Sequence, residues 1–292
     1  MTSILEITGL YFKELPNVSS VKELAKHIRI PYGFGFWIVF FFLGGLLLAF
    51  IVLPLLSLWL TLSWEEFVGG LGHSSVIPAL RLSAITTLSS LFIVVLLGTP
   101  LAWVLTRSQN KSTQFLETVI RLPAVLPPAV AGVALLLAFG RVGLLGGLFD
   151  KLNLAIPFTL FAVIMAEVFV SSPFYLQAAM SAFRSIDEEQ IIVAKTLGAG
   201  PWRIFSKIVL PLSFSKLMAG ALMSWARALG EFGATLMFAG NLPNKTQTLT
   251  LAVYTTFESD LKAAQALSLL LVLVAFLLLY VVHAKTKTTT LV

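Results

Sequence analysis

Residues 187–211 read DEEQIIVAKTLGAGPWRIFSKIVLP, a charged stretch in an otherwise apolar chain. Ile191, Ala194 and Leu197 recur at helical spacing, and the acids at its start suit the helix dipole, so residues 187–197 are predicted to form a short amphipathic helix. Gly198 suits the C-terminal cap, in a left-handed conformation, and Pro201 suits the first position of another helix. The stretch therefore predicts two helices joined by a tight turn.

The second of these helices is predicted to place Trp202, Phe205, Ile208 and Val209 on one apolar face, with basic side chains on another. A solvated loop is the alternative interpretation. Such a loop would need neither two faces nor a capped corner, so the helical interpretation is preferred.

The composition places the chain in a membrane. Of its 292 residues, 58% are hydrophobic and 12% are charged, and the mean hydropathy is +0.93. Soluble domains carry about 25% charged residues. The sequence contains no cysteine, which excludes disulfides and thiolate chemistry.

Six apolar segments approach or exceed the length that crosses a bilayer, about 20 residues. Prolines begin the third segment, and a Ser-Ser-Pro break interrupts the fourth. Because lipid offers backbone groups no partner, the fold class is predicted to be all-α, a polytopic membrane protein with about six transmembrane helices. The predicted spans are residues 36–60, 82–106, 122–140, 156–183, 217–238 and 263–282.

Basic residues predict the orientation, since Lys and Arg concentrate in cytoplasmic loops. With the N-terminus inside, fourteen basic residues face the cytoplasm and five face outward. The predicted organisation is a cytoplasmic tail (1–35), a transmembrane domain (36–283) with a cytoplasmic loop (184–211), and a cytoplasmic tail (284–292). Residues 21–30, VKELAKHIRI, suit either an amphipathic helix on the membrane face or a loosely ordered tail.

Residues 187–211 resemble the coupling loop of ABC importer permeases. The family pattern is Glu-Ala-Ala, three residues, Gly, nine residues, Ile, one residue and Leu-Pro. The residues that match the pattern of this loop or the sequence usual around it are Ala194, Leu197, Gly198, Ala199, Gly200, Pro201, Ile208, Leu210 and Pro211. The family glutamate is replaced by Ile192, although Glu188 and Glu189 lie just before it.

The resemblance implies that this loop docks on a separate ABC ATPase subunit, which binds the ATP. No cofactor or metal is expected on this chain, and it is not expected to be an enzyme. The segment GNLPNKT, residues 240–246, approaches a phosphate-binding loop but has Asn244 where that motif needs glycine before the lysine.

Two further stretches resemble a particular group within the ABC importer permeases. Residues 122–146, LPAVLPPAVAGVALLLAFGRVGLLG, and 226–254, ARALGEFGATLMFAGNLPNKTQTLTLAVY, resemble molybdate permeases. The resemblance implies import of molybdate, with tungstate as a companion substrate. Sulfate permeases share much of the sequence of these two stretches, so the alternative function is that of a sulfate or thiosulfate permease.

Three charged residues fall inside predicted spans. Arg227 and Glu231 are four residues apart and are expected to share a helix face. Either a structural ion pair or a gate element would explain them, and Glu167 is a second candidate partner for Arg227. Carboxylates repel a dianion, so the candidates for the pathway or outer mouth are Thr235, Asn241, Lys245, Thr246 and Gln247. The alternative is that these side chains are ordinary polar residues of a loop and a helix.

Other functions fit less well. The three histidines, His27, His73 and His283, are not expected to converge on a metal or a base. A secondary transporter or channel would explain six spans, but not the two-helix loop. The expected partners are an ABC ATPase, an oxyanion-binding protein, a second permease copy and the lipid bilayer of the cell membrane, without nucleic acid.

Overall fold

The computed structural model describes residues 34–108 and 110–289, and the chain divides into two units, residues 1–57 and 58–292. The predicted amphipathic helix at residues 21–30 lies outside the described residues. All the described residues of the first unit lie in helix α1, Phe34–Leu60, whose last three residues belong to the second unit. The 27 residues of α1 carry no charge, which suits a bilayer span.

The helices of the second unit follow one another with short connections, and its described residues contain no strand. They are α2 Trp64–Leu71, α3 Val76–Thr106, α4 Lys111–Val125, α5 Pro128–Phe139, α6 Gly146–Lys151, α7 Leu160–Arg184, α8 Glu188–Thr196, α9 Pro201–Leu229, α10 Gly233–Ala239, α11 Leu249–Ser259 and α12 Leu261–Thr289. Helix α9 contains one π-helical turn, Phe205–Val209.

Four of the described helices are long and apolar enough to cross a membrane, namely α1, α3, α7 and α9. The bent pair α4 and α5 would count as a fifth span, and α12 contributes a shorter apolar stretch, Leu261–Leu277. The all-α polytopic fold with about six spans is consistent with this arrangement. Helix α12 also continues through residues 284–289, which the sequence assigns to a tail.

The predicted third span, residues 122–140, is wrong as a single straight helix. Helices α4 and α5 meet at 116°. Leu126 and Pro127 both have extended ψ angles, 137° and 135°. Each of them precedes a proline, and a residue in that position is pushed out of the helical region.

The fourth and fifth predicted spans also differ from the helices of the structure. The Ser-Ser-Pro sequence does not break the fourth span, because α7 continues through Pro173. The predicted fifth span, residues 217–238, is interrupted: α9 ends at Leu229 and α10 begins at Gly233. Glu231 therefore lies in a connection between helices.

Helix α7 is the centre of the second unit and packs against α3 and α9 along one part of its length. Tyr175, Met180 and Phe183 on α7 are almost fully buried there. Tyr175 forms a hydrogen bond of 2.5 Å with Thr99 on α3. A second core joins α7 to α5 and α10 through Val163, Ala131 and Phe238.

Close contact of α5 with α10 depends on Gly132. A Cβ atom at this position would lie 2.7 Å from the Met237 Cβ and 2.8 Å from the Ala234 carbonyl oxygen. We expect Gly132→Ala to lower the free energy of unfolding by about 1–3 kcal/mol, because backbone must move to admit the methyl group. Thermal unfolding in detergent measures this loss.

Gly147→Ala is the matched control, since nothing lies within 4 Å of a Cβ there. Equal melting temperatures for the Gly132 and Gly147 variants would contradict the close approach of α5 and α10.

Candidate functional site

The predicted turn is present between α8 and α9. Asp187 caps α8, where its side chain accepts a hydrogen bond from the Glu189 N–H at 3.1 Å. Gly198 has φ +79°, the left-handed conformation that the sequence predicts. The Ala199 N–H donates to the Ala194 carbonyl and the Gly198 N–H to the Lys195 carbonyl, each at 3.0 Å. These two bonds form a Schellman motif, which satisfies the last carbonyls of the helix.

The next helix begins as the sequence predicts, with Pro201 in its first turn after Gly200. Gly200 has φ −70° and ψ 162°, so it needs no special conformation. Helix α9 then runs without interruption from this turn into the membrane-spanning region. The corner at Gly198 is therefore followed directly by a helix that continues into a span.

The predicted apolar faces of the two helices are partly wrong. Ile191 and Ala194 are buried as expected, but Leu197 is 82% exposed and Trp202 is 78% exposed. Within residues 201–211 of the second helix, the buried residues are Ile204 and Val209. Apolar side chains thus lie on both sides of the turn, and the exposed set, which we call the apolar patch, consists of Ile192, Val193, Leu197 and Trp202.

Ile192 is exposed in the patch at the position where the resemblance places a glutamate. Glu188 and Glu189 also point to solvent, one turn earlier. A partner that contacts the centre of this patch therefore meets apolar side chains rather than a carboxylate.

Three aromatic rings hold the turn against the spans. Trp103 at the end of α3 packs against Phe183 of α7 and Phe205 of α9, with ring centroids 5.4 and 5.5 Å apart. The Phe183 and Phe205 rings are 6.3 Å apart. The side chain of Lys216 also donates to the Ser185 hydroxyl at 2.6 Å, between α9 and the end of α7.

Arg227 and Glu231 form an ion pair, with Arg227 Nη1 2.8 Å from Glu231 Oε2. The Glu231 side chain is 1% exposed and that of Arg227 is 27% exposed. The second carboxylate oxygen of Glu231 accepts the Ala234 N–H at 2.8 Å, which caps the first turn of α10. Glu231 thus connects the end of α9 to the start of α10.

Glu167 does not contact Arg227, although the sequence names it as a candidate partner. Its Oε1 accepts the hydroxyl of Thr86 on α3 at 2.8 Å. Its Oε2 is buried without a hydrogen-bond partner among the described residues, and so is the hydroxyl of Ser171 one turn later. Glu167 therefore belongs to the contact between α3 and α7.

The candidate pathway residues do not line one common cavity. Thr246 is fully buried, and its hydroxyl accepts the Leu242 N–H and donates to the Gly240 carbonyl, so it serves the loop itself. Thr235 is fully buried as well, and Lys245 is exposed.

Asn241 and Gln247 share one partner. Both amides donate to the Thr255 hydroxyl, at 2.8 and 3.3 Å. Gln247 also lines a cleft of about 290 Å³ with His73, Ser74, Asn244 and Ser259. His73 contacts Ser75 there, and the described residues contain no cluster of three potential metal-ligating side chains.

Apolar spans, a broken helix pair and a capped turn that leads into a span define a polytopic helical membrane protein. The chain belongs to the inner membrane components of binding-protein-dependent transport systems, because the profile of that family matches residues 95–286.

Relatives agree with this assignment. The molybdenum transport system permease protein ModB of Mycobacterium tuberculosis is 41% identical over 239 residues, covering 82% of this chain and 90% of the relative. The probable transport system permease protein NifC of Clostridium pasteurianum is 36% identical, covering 84% and 86%. The fold matches a bacterial ABC transporter involved in alginate import, with a TM-score of 0.69 at 15% identity, covering 91% and 99%.

Proposed function

We propose that this chain is the membrane-spanning subunit of an ATP-driven importer for molybdate, with tungstate as a companion substrate. The observation that carries the proposal is the 41% identity to a molybdenum permease over 82% of the chain. A sulfate permease is the second candidate. A probable sulfate transport permease of Zygnema circumcarinatum is 29% identical over 88% of the chain, so the likeness is weaker.

The Gly198 turn is the proposed docking site for a separate ATPase subunit. Its apolar patch is exposed at a corner from which α9 continues directly as a span. Movement of the ATPase subunit would therefore be transmitted along α9 to the bundle. ATP binds and is hydrolysed on that partner in this proposal, and the chain itself carries the anion.

The proposed orientation places both termini and the Gly198 turn in the cytoplasm. The fourteen-to-five distribution of basic residues supports it. The loop at residues 240–248, with Lys245 exposed, would then face outward and meet the binding protein that delivers the anion.

A second copy of the chain is the proposed partner within the membrane. A groove of about 460 Å³ lies between α7 and α9, and Gln177, Ser181 and Lys216 line it together with small and apolar residues. Polar side chains inside a membrane face a protein partner or a water-filled cavity rather than lipid. Pairing of two grooves would enclose such a pathway.

Uptake into vesicles tests the proposal. The chain would be reconstituted with the ATPase and the binding protein from the same cell, and labelled molybdate uptake would be followed. We expect uptake to require ATP, and an equal concentration of tungstate to compete better than sulfate. Uptake without ATP would indicate a secondary transporter or channel, and stronger competition by sulfate would indicate the second candidate.

A further inference from the structure

A cleft of about 230 Å³ separates the end of α3 from the Gly198 turn. Its walls are largely apolar, and two basic side chains, Arg107 and Lys195, also line it. The apolar lining consists of Trp103, Ile191, Ala199, Pro201 and Ile204. The cleft lies behind the turn, on the side of the buried residues Ile191 and Ile204 rather than of the apolar patch.

The guanidinium of Arg107 stacks on a neighbouring aromatic ring. Its guanidinium carbon lies 3.8 Å from the ring centroid of Trp103, a cation–π contact. A guanidinium stacked on a ring keeps its N–H groups, which point outward in the plane, available for an anion. Among the described residues, Arg107 makes no ion pair with an acid.

Lys195 supplies the second charge from the last turn of α8. It is exposed, and it too makes no ion pair with a described residue. The nearby acid is Glu188, at the start of the same helix. Burial lowers the pKa of Arg107 from its usual range, and the Glu188 carboxylate opposes that shift. An arginine remains protonated in proteins, so the cleft keeps two positive charges.

The cleft lies where a span ends. Arg107 follows Thr106, the last residue of α3, so the charges lie just beyond the end of a candidate span, on the side that carries the turn. Basic pockets between helices at this level bind anionic lipid headgroups.

We propose that this cleft binds a tetrahedral oxyanion between Arg107 and Lys195, either the phosphate of an anionic lipid or a free oxyanion. The ligand would bridge α3 to α8 and hold the Gly198 turn in place. Binding itself does not depend on which anion is transported. Its effect on ATPase docking rests on the proposed function.

The lipid source is tested with the full chain in nanodiscs. Native mass spectrometry would compare retention of phosphatidylglycerol with that of phosphatidylcholine. We expect Arg107→Gln and Lys195→Gln each to weaken phosphatidylglycerol retention about tenfold, the effect of losing one charge-assisted hydrogen bond. Arg203→Gln is the matched control, because Arg203 is exposed on the same turn but does not line the cleft.

The free-anion source is tested in phosphatidylcholine alone, with sodium phosphate or sodium molybdate added during thermal unfolding. A stabilisation that Arg107→Gln and Lys195→Gln abolish and Arg203→Gln keeps would assign the site to a free oxyanion. In either arm, Glu188→Gln should strengthen binding, because it removes the nearby negative charge.

Equal behaviour of all variants in both arms would overturn the proposal. So would variants that lose the ATPase subunit while binding lipid and free anions normally, since the two cations would then serve the ATPase. If the unmodified chain takes up no molybdate but its anion binding still depends on Arg107 and Lys195, the proposed function is contradicted and this site stands. Because Lys195 is exposed, its variant keeps the test valid if Arg107→Gln disturbs the fold.

Discussion

Gly198→Val should leave the protein in the membrane in normal amount but abolish its binding to the ATPase subunit and its ATP-dependent uptake. Gly198 has φ +79°, and nothing lies within 4 Å of a Cβ at this position. The valine therefore acts through the backbone conformation of the turn and not through a clash with neighbouring atoms. A non-glycine residue costs about 1–2 kcal/mol in the left-handed region, and a β-branched residue fares worse. Co-purification of the ATPase and vesicle uptake measure the loss.

The chain contains its own control two residues later. Gly200 also has open space around it, but its φ is −70°, which suits any residue. Gly200→Ser should keep the partner and the uptake, whereas Gly198→Ser should lose much of both. If the Gly198→Val variant still binds the ATPase and transports at the parent rate, this turn has no docking role.

Arg227→Gln should destabilise the protein by about 3–5 kcal/mol, the usual cost of breaking a buried ion pair. It leaves the Glu231 carboxylate, 1% exposed, with the Ala234 N–H as its remaining hydrogen bond among the described residues. Glu231→Gln should cost less, because the Arg227 side chain that it leaves unpaired is 27% exposed and therefore less buried than the Glu231 carboxylate. The double Gln variant should be more stable than Arg227→Gln alone. Equilibrium unfolding in detergent measures the three free energies.

The exposed pair Lys262–Glu66, with a nitrogen–oxygen distance of 3.2 Å, provides a control cycle on the same chain. Exposed pairs contribute little, so its coupling should be close to zero. Additive losses at Arg227 and Glu231, matching the control, would show that the buried pair does not act as a unit.

Local features were predictable from short stretches of the sequence. The capped end of α8, the positive φ of Gly198 and the start of α9 at Pro201 each depend on a few neighbouring residues. The ion pair was also predictable from two nearby residues, but not its setting: α9 ends at Leu229, so Glu231 meets Arg227 from the following connection rather than on a shared helix face. The number of apolar segments follows from hydropathy along the chain.

The sequence carries a local signal for the break between α4 and α5. Pro127 and Pro128 favour an extended backbone before each of them, and the 116° bend occurs there. The sequence indicates the break before α10 less clearly. Gly230 and Gly233 lie beside the break, but apolar residues predominate on both sides of it. Residues 217–238 were therefore predicted as one span.

The amino-acid sequence alone specifies the class of protein, the membrane spans in outline and the geometry of the Gly198 turn, because hydropathy and backbone preferences act locally. Helix packing decides which side of the turn is exposed, that Glu167 contacts Thr86 rather than Arg227, and that Arg107 and Lys195 line one cleft. These facts depend on how α3, α7, α8 and α9 pack together. Packing joins residues that are far apart in the chain, such as residues 107 and 195, which are 88 positions apart, and no local pattern encodes such a contact.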